Sequence, residues 1–177
     1  MLANLIHTNP DKAERITEEL AEIFRYALES TRRDWVTLDD ELEFLASYLE
    51  IEKARFDERL TYSFDVAPAI RSFHIPPMIL QPLVENAVKH GITAKVEGGN
   101  VTISAHQEED RLMLAIEDTG AGHQTASRQG GTGIGLANVR ERLEHVYRGS
   151  ASLRLSAGPQ QGTRVELILP QLVGVPS

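Results

Sequence analysis

The sequence predicts an α+β protein: a two-layer sandwich with helices on one face of a mixed, mainly antiparallel sheet, preceded by a helical hairpin. Three observations predict it. Two N-terminal stretches repeat their apolar residues at helical spacing over roughly twenty residues each. Past residue 60 the texture changes to short alternating runs that come mostly in pairs. Between those runs lie two further amphipathic helices and one glycine-rich loop, so the order is helix, helix, then β-α-β-β-loop-α-β-β.

Each element has its own grounds. Residues 10–29 open on Pro10 and Asp11, which suit a first helical turn, and carry Ile16, Leu20, Ile23 and Ala27 on one face. Residues 38–57 follow Thr37, an N-cap with Asp40 three residues on, the pattern of a capping box. Leu38, Leu42, Leu45, Leu49 and Phe56 form a near-heptad seam, broken by Glu52, that predicts packing against a partner, including a second copy of the chain. TYSFDV reads as a strand, and Pro76 and Pro77 mark entry to a helix over 82–91. VTISAHQ and RLMLAIED form a hairpin around a short acidic turn. Residues 119–132 read as a loop, a helix starts at about Ile134, and ASLRLS with TRVELILP closes the sheet. The expected organisation is 1–59 helical, 60–170 the sandwich and 171–177 a frayed tail.

Composition excludes several classes. With 177 residues the chain can bury one good-sized core and a helical appendage. No apolar run approaches the ~20 residues that span a bilayer, and the N-terminus has no signal-peptide pattern, so no membrane contact is expected. The absence of cysteine removes disulfides, thiolate nucleophiles and Cys-type zinc sites, and fits a cytoplasmic location. A net charge of −8 argues against a broad nucleic-acid surface, though a local anion pocket built on backbone N–H groups stays possible.

Three stretches carry chemistry. In PLVENAVKHG, residues 82–91, Leu83, Val84, Ala87 and Val88 form an apolar face, while Asn86, Lys89 and His90 gather on a polar one. An amide oxygen is a plausible Mg²⁺ ligand beside phosphate oxygens, with Lys89 and His90 about one turn on. The same residues also fit a solvated helix face with His90 and Gly91 as its C-terminal cap. In DTGAG, residues 118–122, a strand ends on a carboxylate and turns through Gly120 and Gly122. Such glycines admit a flat ligand, or make an ordinary turn. GGTGIGL, residues 130–136, opens a helix whose free N–H groups and dipole make an anion site, or ends a linker. It is neither a Walker A loop nor a good dinucleotide fingerprint.

In this order the three stretches, with GTRVEL following, resemble the N, G1 and G2 boxes of the Bergerat-type ATP-binding fold. Histidine kinases, type II topoisomerases, Hsp90-type chaperones and mismatch-repair ATPases share that fold, and the resemblance spans residues 76–169. The stretch IFRYALESTRRDWVTLDDELEFLASYLEIEKARF, with IPPMILQPLVENAVKHGI and GIGLANVRERL, is similar to LytS-type sensor histidine kinases. The resemblance implies ATP and Mg²⁺ as ligands. Asn86 would hold the metal, and Asp118 would accept a hydrogen bond from the adenine amino group, with Gly120 and Gly122 forming the base pocket. Thr163 would support adenine through Asp118 or a water. Gly131, Gly133 and Gly135, with Thr132, Ile134 and Leu136 of the same box, would close over the phosphates, and Lys89 and His90 would complement their charge. Residues 119–132 would be the ATP lid.

The implied activity is transfer of the ATP γ-phosphoryl to a histidine and on to a response regulator of LytTR type. The implied setting is the cytoplasmic part of a membrane-bound sensor kinase that works as a homodimer. The family's acceptor motif, resembling NPHFLFN, is absent, so the chain is expected to be a fragment or to lack its own acceptor; His7 is the nearest histidine. His74, His106, His123 and His145 are expected at the surface. In the ATPase relatives a carboxylate one turn before the N-box Asn activates water; here that position is Pro82. Glu85 is retained as a candidate for polarising an acceptor histidine. A Bergerat-fold ATPase that drives conformational change, and a non-catalytic module whose dimerisation is controlled by nucleotide, are the alternatives.

Overall fold

The computed structural model describes residues 2–30, 32–93, 95–120 and 134–171, without the side chains of Leu2, Asn4, His90 and Ile134. A short helix, α1 (Leu2–Thr8), precedes the expected first helix, α2 (Pro10–Ser30). Asn9 caps α2 by accepting the Lys12 N–H at 3.1 Å on its side chain, and Pro10 takes the first helical position, where no N–H is needed. Helix α3 (Leu38–Phe56) starts on the expected capping box. The Asp40 N–H donates to Thr37 Oγ1 at 3.1 Å, and the Thr37 N–H donates to Asp40 Oδ2 at 2.9 Å.

The α3 seam is satisfied within the chain. Leu38, Leu42, Leu45 and Leu49 are buried in one core that runs through the whole sandwich, so they are not free to meet a second copy. An exposed apolar stripe lies on α2 instead: Leu20, Phe24 and Leu28, at spacings of four, are 37, 60 and 69% exposed. Of the expected α2 face, Ile16 is buried and Ile23 packs on the core, while Leu20 belongs to this exposed stripe.

Two two-residue strands escaped the alternation pattern. Strand β1 (Val36–Thr37) pairs antiparallel with β3 (His74–Ile75), tying the α2–α3 turn to the segment that leads into the next helix. The main sheet has five strands: β2 (Leu60–Val66), β4 (Gly99–Glu108), β5 (Arg111–Asp118), β6 (Ser152–Ala157) and β7 (Thr163–Pro170). Their spatial order is β2-β4-β5-β7-β6. Only the β2–β4 pair is parallel, so the sheet is mixed and mainly antiparallel, as the sequence predicts. A parallel pair needs a crossover. Helix α4 (Gln81–Asn86) lies in it and continues as a π-helical turn (Ala87–Ile92). Helix α5 (Ile134–Tyr147) packs beside α4.

The sheet buries one face. Val101 and Ile103 of β4, Leu112, Leu114 and Ile116 of β5, and Val165, Leu167 and Leu169 of β7 alternate into the core. Cross-strand polar pairs cover the other face at the β2–β4 step, with Thr61 Oγ1 donating to Asn100 Oδ1 at 3.0 Å and the Ser63 and Thr102 hydroxyls 3.3 Å apart. Among the described residues no helix is long and apolar enough to cross a membrane.

Candidate functional site

The site is built where the end of β5 meets the end of the α4 segment. Leu83, Val84, Ala87 and Val88 bury the expected apolar face, leaving Asn86 half-buried and Lys89 exposed. The helix does not stop at Gly91. The Thr93 N–H reaches back five residues to the Val88 carbonyl at 3.0 Å, and the Thr93 hydroxyl donates to the same oxygen at 3.1 Å. Gly91 is therefore no C-terminal cap. It is small because it lies against a carboxylate: a Cβ there would stand 2.6 Å from Asp118 Oδ1.

Asp118 closes β5 and is only 3% exposed. Its Oδ1 accepts the Gly120 N–H at 2.9 Å, and the N–H and hydroxyl of Thr163 also bond the carboxylate. Burial pushes its pKa above the usual carboxylate value, and the bonds from Gly120 and Thr163 partly oppose that rise. Two more glycines make room. A Cβ at Gly120 would fall 2.2 Å from the Gly91 carbonyl, and one at Gly162 would fall 1.7 Å from the Asp118 carbonyl oxygen. Gly91 thus lies against the carboxyl, Gly120 against Gly91, and Gly162 against the Asp118 backbone. The chain leaving Asp118 is fixed too: Thr119 Oγ1 accepts the Asn100 N–H at 2.9 Å, and Lys95 Nζ donates to the Thr119 carbonyl at 3.0 Å.

The remaining sequence candidates fall as follows. Gly135 lies at the start of α5, 3.7 Å (as a Cβ) from the Pro82 Cβ, which sets that helix end beside the Asn86 helix. Leu136 is buried in the core. Glu85 is exposed and accepts the Gln81 side-chain amide at 2.6 Å. Ile134 begins α5. His90 lies within the π turn. Gly122, Gly131, Thr132 and Gly133, His123 and nearly all of the expected lid lie outside the described residues. His7, His106 and His145 are exposed and His74 is half-buried. The sequence offers Gly91 only as a helix cap, and neither Gly162 nor Lys95 as a site residue. The two glycines stood inside the quoted motifs, which was a usable signal; nothing marked Lys95.

The fold and this carboxyl-and-glycine corner define a class. The family described as "Histidine kinase-, DNA gyrase B-, and HSP90-like ATPase" matches residues 77–173, and the chain belongs to it. Members of this family typically bind ATP with Mg²⁺. A second family, "Histidine kinase", matches residues 1–60. Sensor histidine kinase BtsS of Escherichia coli K12 is 35% identical over 94% of this chain and 29% of its own length. Sensor protein LytS of Staphylococcus saprophyticus is 30% identical over 96% of this chain and 30% of its own length. The chain thus spans under a third of these relatives. Among solved structures, the histidine kinase domain of the Erythrobacter litoralis EL346 blue-light activated kinase superposes with a TM-score of 0.60, at 17% identity, over 90% of this chain and 75% of that one. The catalytic domain of histidine kinase ThkA gives 0.59 at 14% identity, over 77% and 94%. Both show the same α+β sandwich.

Proposed function

We propose that this chain is the ATP-binding catalytic region of a LytS-type sensor histidine kinase, which passes the ATP γ-phosphoryl to a histidine and then to a response regulator. One observation carries the reading: a buried carboxyl at the end of β5 with Gly91 packed on it, Gly120 bonded to it, and Gly162 against its backbone. Asp118 would accept a hydrogen bond from the adenine amino group, with Gly120 and Gly122 forming the base pocket. Thr163 would hold the carboxyl in place. Asn86 would supply an oxygen to Mg²⁺. Among the described residues no group of three or more His, Asp or Glu side chains gathers as a cation site, so phosphate oxygens would complete the ion's shell. Bound there, Mg²⁺ would neutralise charge on the phosphates. Lys89, and His90 beside it, would face the triphosphate, while Gly131, Thr132, Gly133, Ile134, Gly135 and Leu136 would bring the α5 N-terminus over it.

Transfer breaks the bond between the γ-phosphorus and its bridging oxygen and forms a phosphorus–nitrogen bond to imidazole. ADP leaves, and the imidazole proton is released. The chain's contribution is positioning and charge stabilisation. Water must be kept from reacting. Pro82 offers no base, and Glu85, the carboxylate beside Asn86, is exposed and engaged by Gln81, which supports transfer over hydrolysis. The exposed Leu20, Phe24 and Leu28 stripe supports a homodimer in the parent protein. Incubation with γ-labelled ATP and a supplied helix carrying an acceptor histidine tests the reading. Acid-labile, alkali-stable label on that helix is expected. Steady release of inorganic phosphate, indifferent to the acceptor, would instead favour the ATPase alternative.

A further inference from the structure

We propose that Glu41 is a positioning residue for the nucleotide site: it fixes the segment that launches the Asn86 helix and ties it to α2. The sequence hides this residue in an acidic run, DDELE, at the start of α3, where a solvated carboxylate is the ordinary expectation. The structure buries it completely. Its carboxylate accepts the backbone N–H groups of Met78 and Leu80, the latter at 3.1 Å, with Ile79 also bonded, and the hydroxyl of Tyr26 on α2.

Three features make this more than core filling. First, a buried carboxylate is costly even when bonded, and an apolar side chain of like volume would serve packing better. Second, the clamped segment is conformationally unfavourable: Met78 sits at φ +55°, a left-handed conformation that side-chain-bearing residues avoid. In this turn the N–H groups of 78 to 80 converge on Glu41. Third, the clamp leads directly to the site. Leu80 is the N-cap of α4, and its carbonyl accepts the N–H groups of Leu83 at 3.0 Å and Val84 at 3.1 Å, starting the short helix that ends on Asn86. A six-residue helix is a rigid arm of about 9 Å, so a shift at its start moves Asn86. Tyr26 is itself seated on the Phe44 ring, with centroids 4.8 Å apart, so α2, α3 and α4 meet at one carboxylate.

The inference rests on the proposed nucleotide reading, in which Asn86 holds Mg²⁺ and Asp118 holds adenine. Glu41 serves only the first of these, and that separates positioning from general stability. The test is titration with the non-hydrolysable analogue AMPPNP, with Mg²⁺ and with chelator, on the unaltered protein, Asn86→Ala, Glu41→Gln and Tyr26→Phe. Glu41→Gln keeps the shape but turns an N–H donor toward the backbone N–H groups. It should weaken binding with Mg²⁺ about tenfold and leave metal-free binding within about twofold. Tyr26→Phe removes one hydroxyl at a half-buried site and should cut the Mg²⁺ enhancement in the same direction by about threefold. It decides the matter if Glu41→Gln does not fold. Unchanged Mg²⁺ enhancement, or equal loss with and without metal, overturns the positioning role while Asn86→Ala still reports a sound metal site. No binding by the unaltered protein, or Asn86→Ala indistinguishable from it, overturns the nucleotide reading and the inference with it.

Discussion

Gly91→Ala puts one methyl group where the structure has no space for it. The new Cβ would stand 2.6 Å from Asp118 Oδ1 and 2.7 Å from its Cγ, against about 3.5 Å at ordinary contact. The deficit is roughly 0.9 Å, and the carboxyl cannot simply step back. It is 3% exposed and held by the Gly120 N–H at 2.9 Å. Relief by rotating the carboxyl or shifting the π turn should cost about 1–3 kcal/mol of stability. On the proposed reading it also forfeits a hydrogen bond between adenine and a charged acceptor, about 1.5–3 kcal/mol or about 10- to 150-fold in Kd. Gly135→Ala is the control. Its methyl would meet the Pro82 Cβ at 3.7 Å, an ordinary contact, inside a helix. It should gain about 0.5–1 kcal/mol from helix propensity. Urea unfolding and calorimetric titration with ADP measure both quantities. A Gly91→Ala protein as stable as the unaltered one, binding ADP within about twofold, would refute the reasoning.

Further outcomes are expected elsewhere. Asp118 holds its proton more tightly folded than unfolded, because burial raises its pKa from 3.8. Its contribution to folding is full below about pH 4 and is lost as the pH rises through the raised value. The permanently neutral Asp118→Asn should therefore gain stability relative to the unaltered protein as the pH rises above about 4, read from paired melts; a pH-independent difference contradicts this. Leu49→Ala, at a position with 0% exposure, should cost about 2–5 kcal/mol in urea unfolding. Phe24→Ala, at 60% exposure, should change monomer stability by no more than about 0.5 kcal/mol while weakening any self-association seen by sedimentation. Thr37→Ala removes the bond from the Asp40 N–H and should cost about 0.5–2 kcal/mol.

Much of this architecture was legible because it rests on local chemistry. The capping box at Thr37 and Asp40, the strand alternations of 101–107 and 163–170, and the apolar face of Leu83, Val84, Ala87 and Val88 all follow from period and short-range hydrogen bonding. What was hidden depends on distant partners. A two-residue strand such as β1 has no period to read. The π turn after Asn86 keeps a helix-like apolar spacing, so Gly91 looks like a cap until Asp118 is seen against it. The leucines of α3 have the spacing of a dimer seam, and only tertiary packing shows that the chain's own core covers them. Glu41 lies in an acidic run, and nothing local distinguishes a buried carboxylate from its solvated neighbours. At the site, Asp118, Gly120 and Thr163 come together, and Asn86 directly precedes the π turn whose Gly91 lies against Asp118.

The central claim is that one corner of the sandwich holds a nucleotide through Asp118 and its metal through Asn86. Calorimetric titration with AMPPNP, with and without Mg²⁺, on the unaltered protein, Asn86→Ala and Asp118→Ala tests it most directly. The account predicts Mg²⁺-dependent binding that loses its metal dependence in Asn86→Ala and disappears in Asp118→Ala. Absence of binding by the folded, unaltered protein, or equal binding by all three, would contradict it.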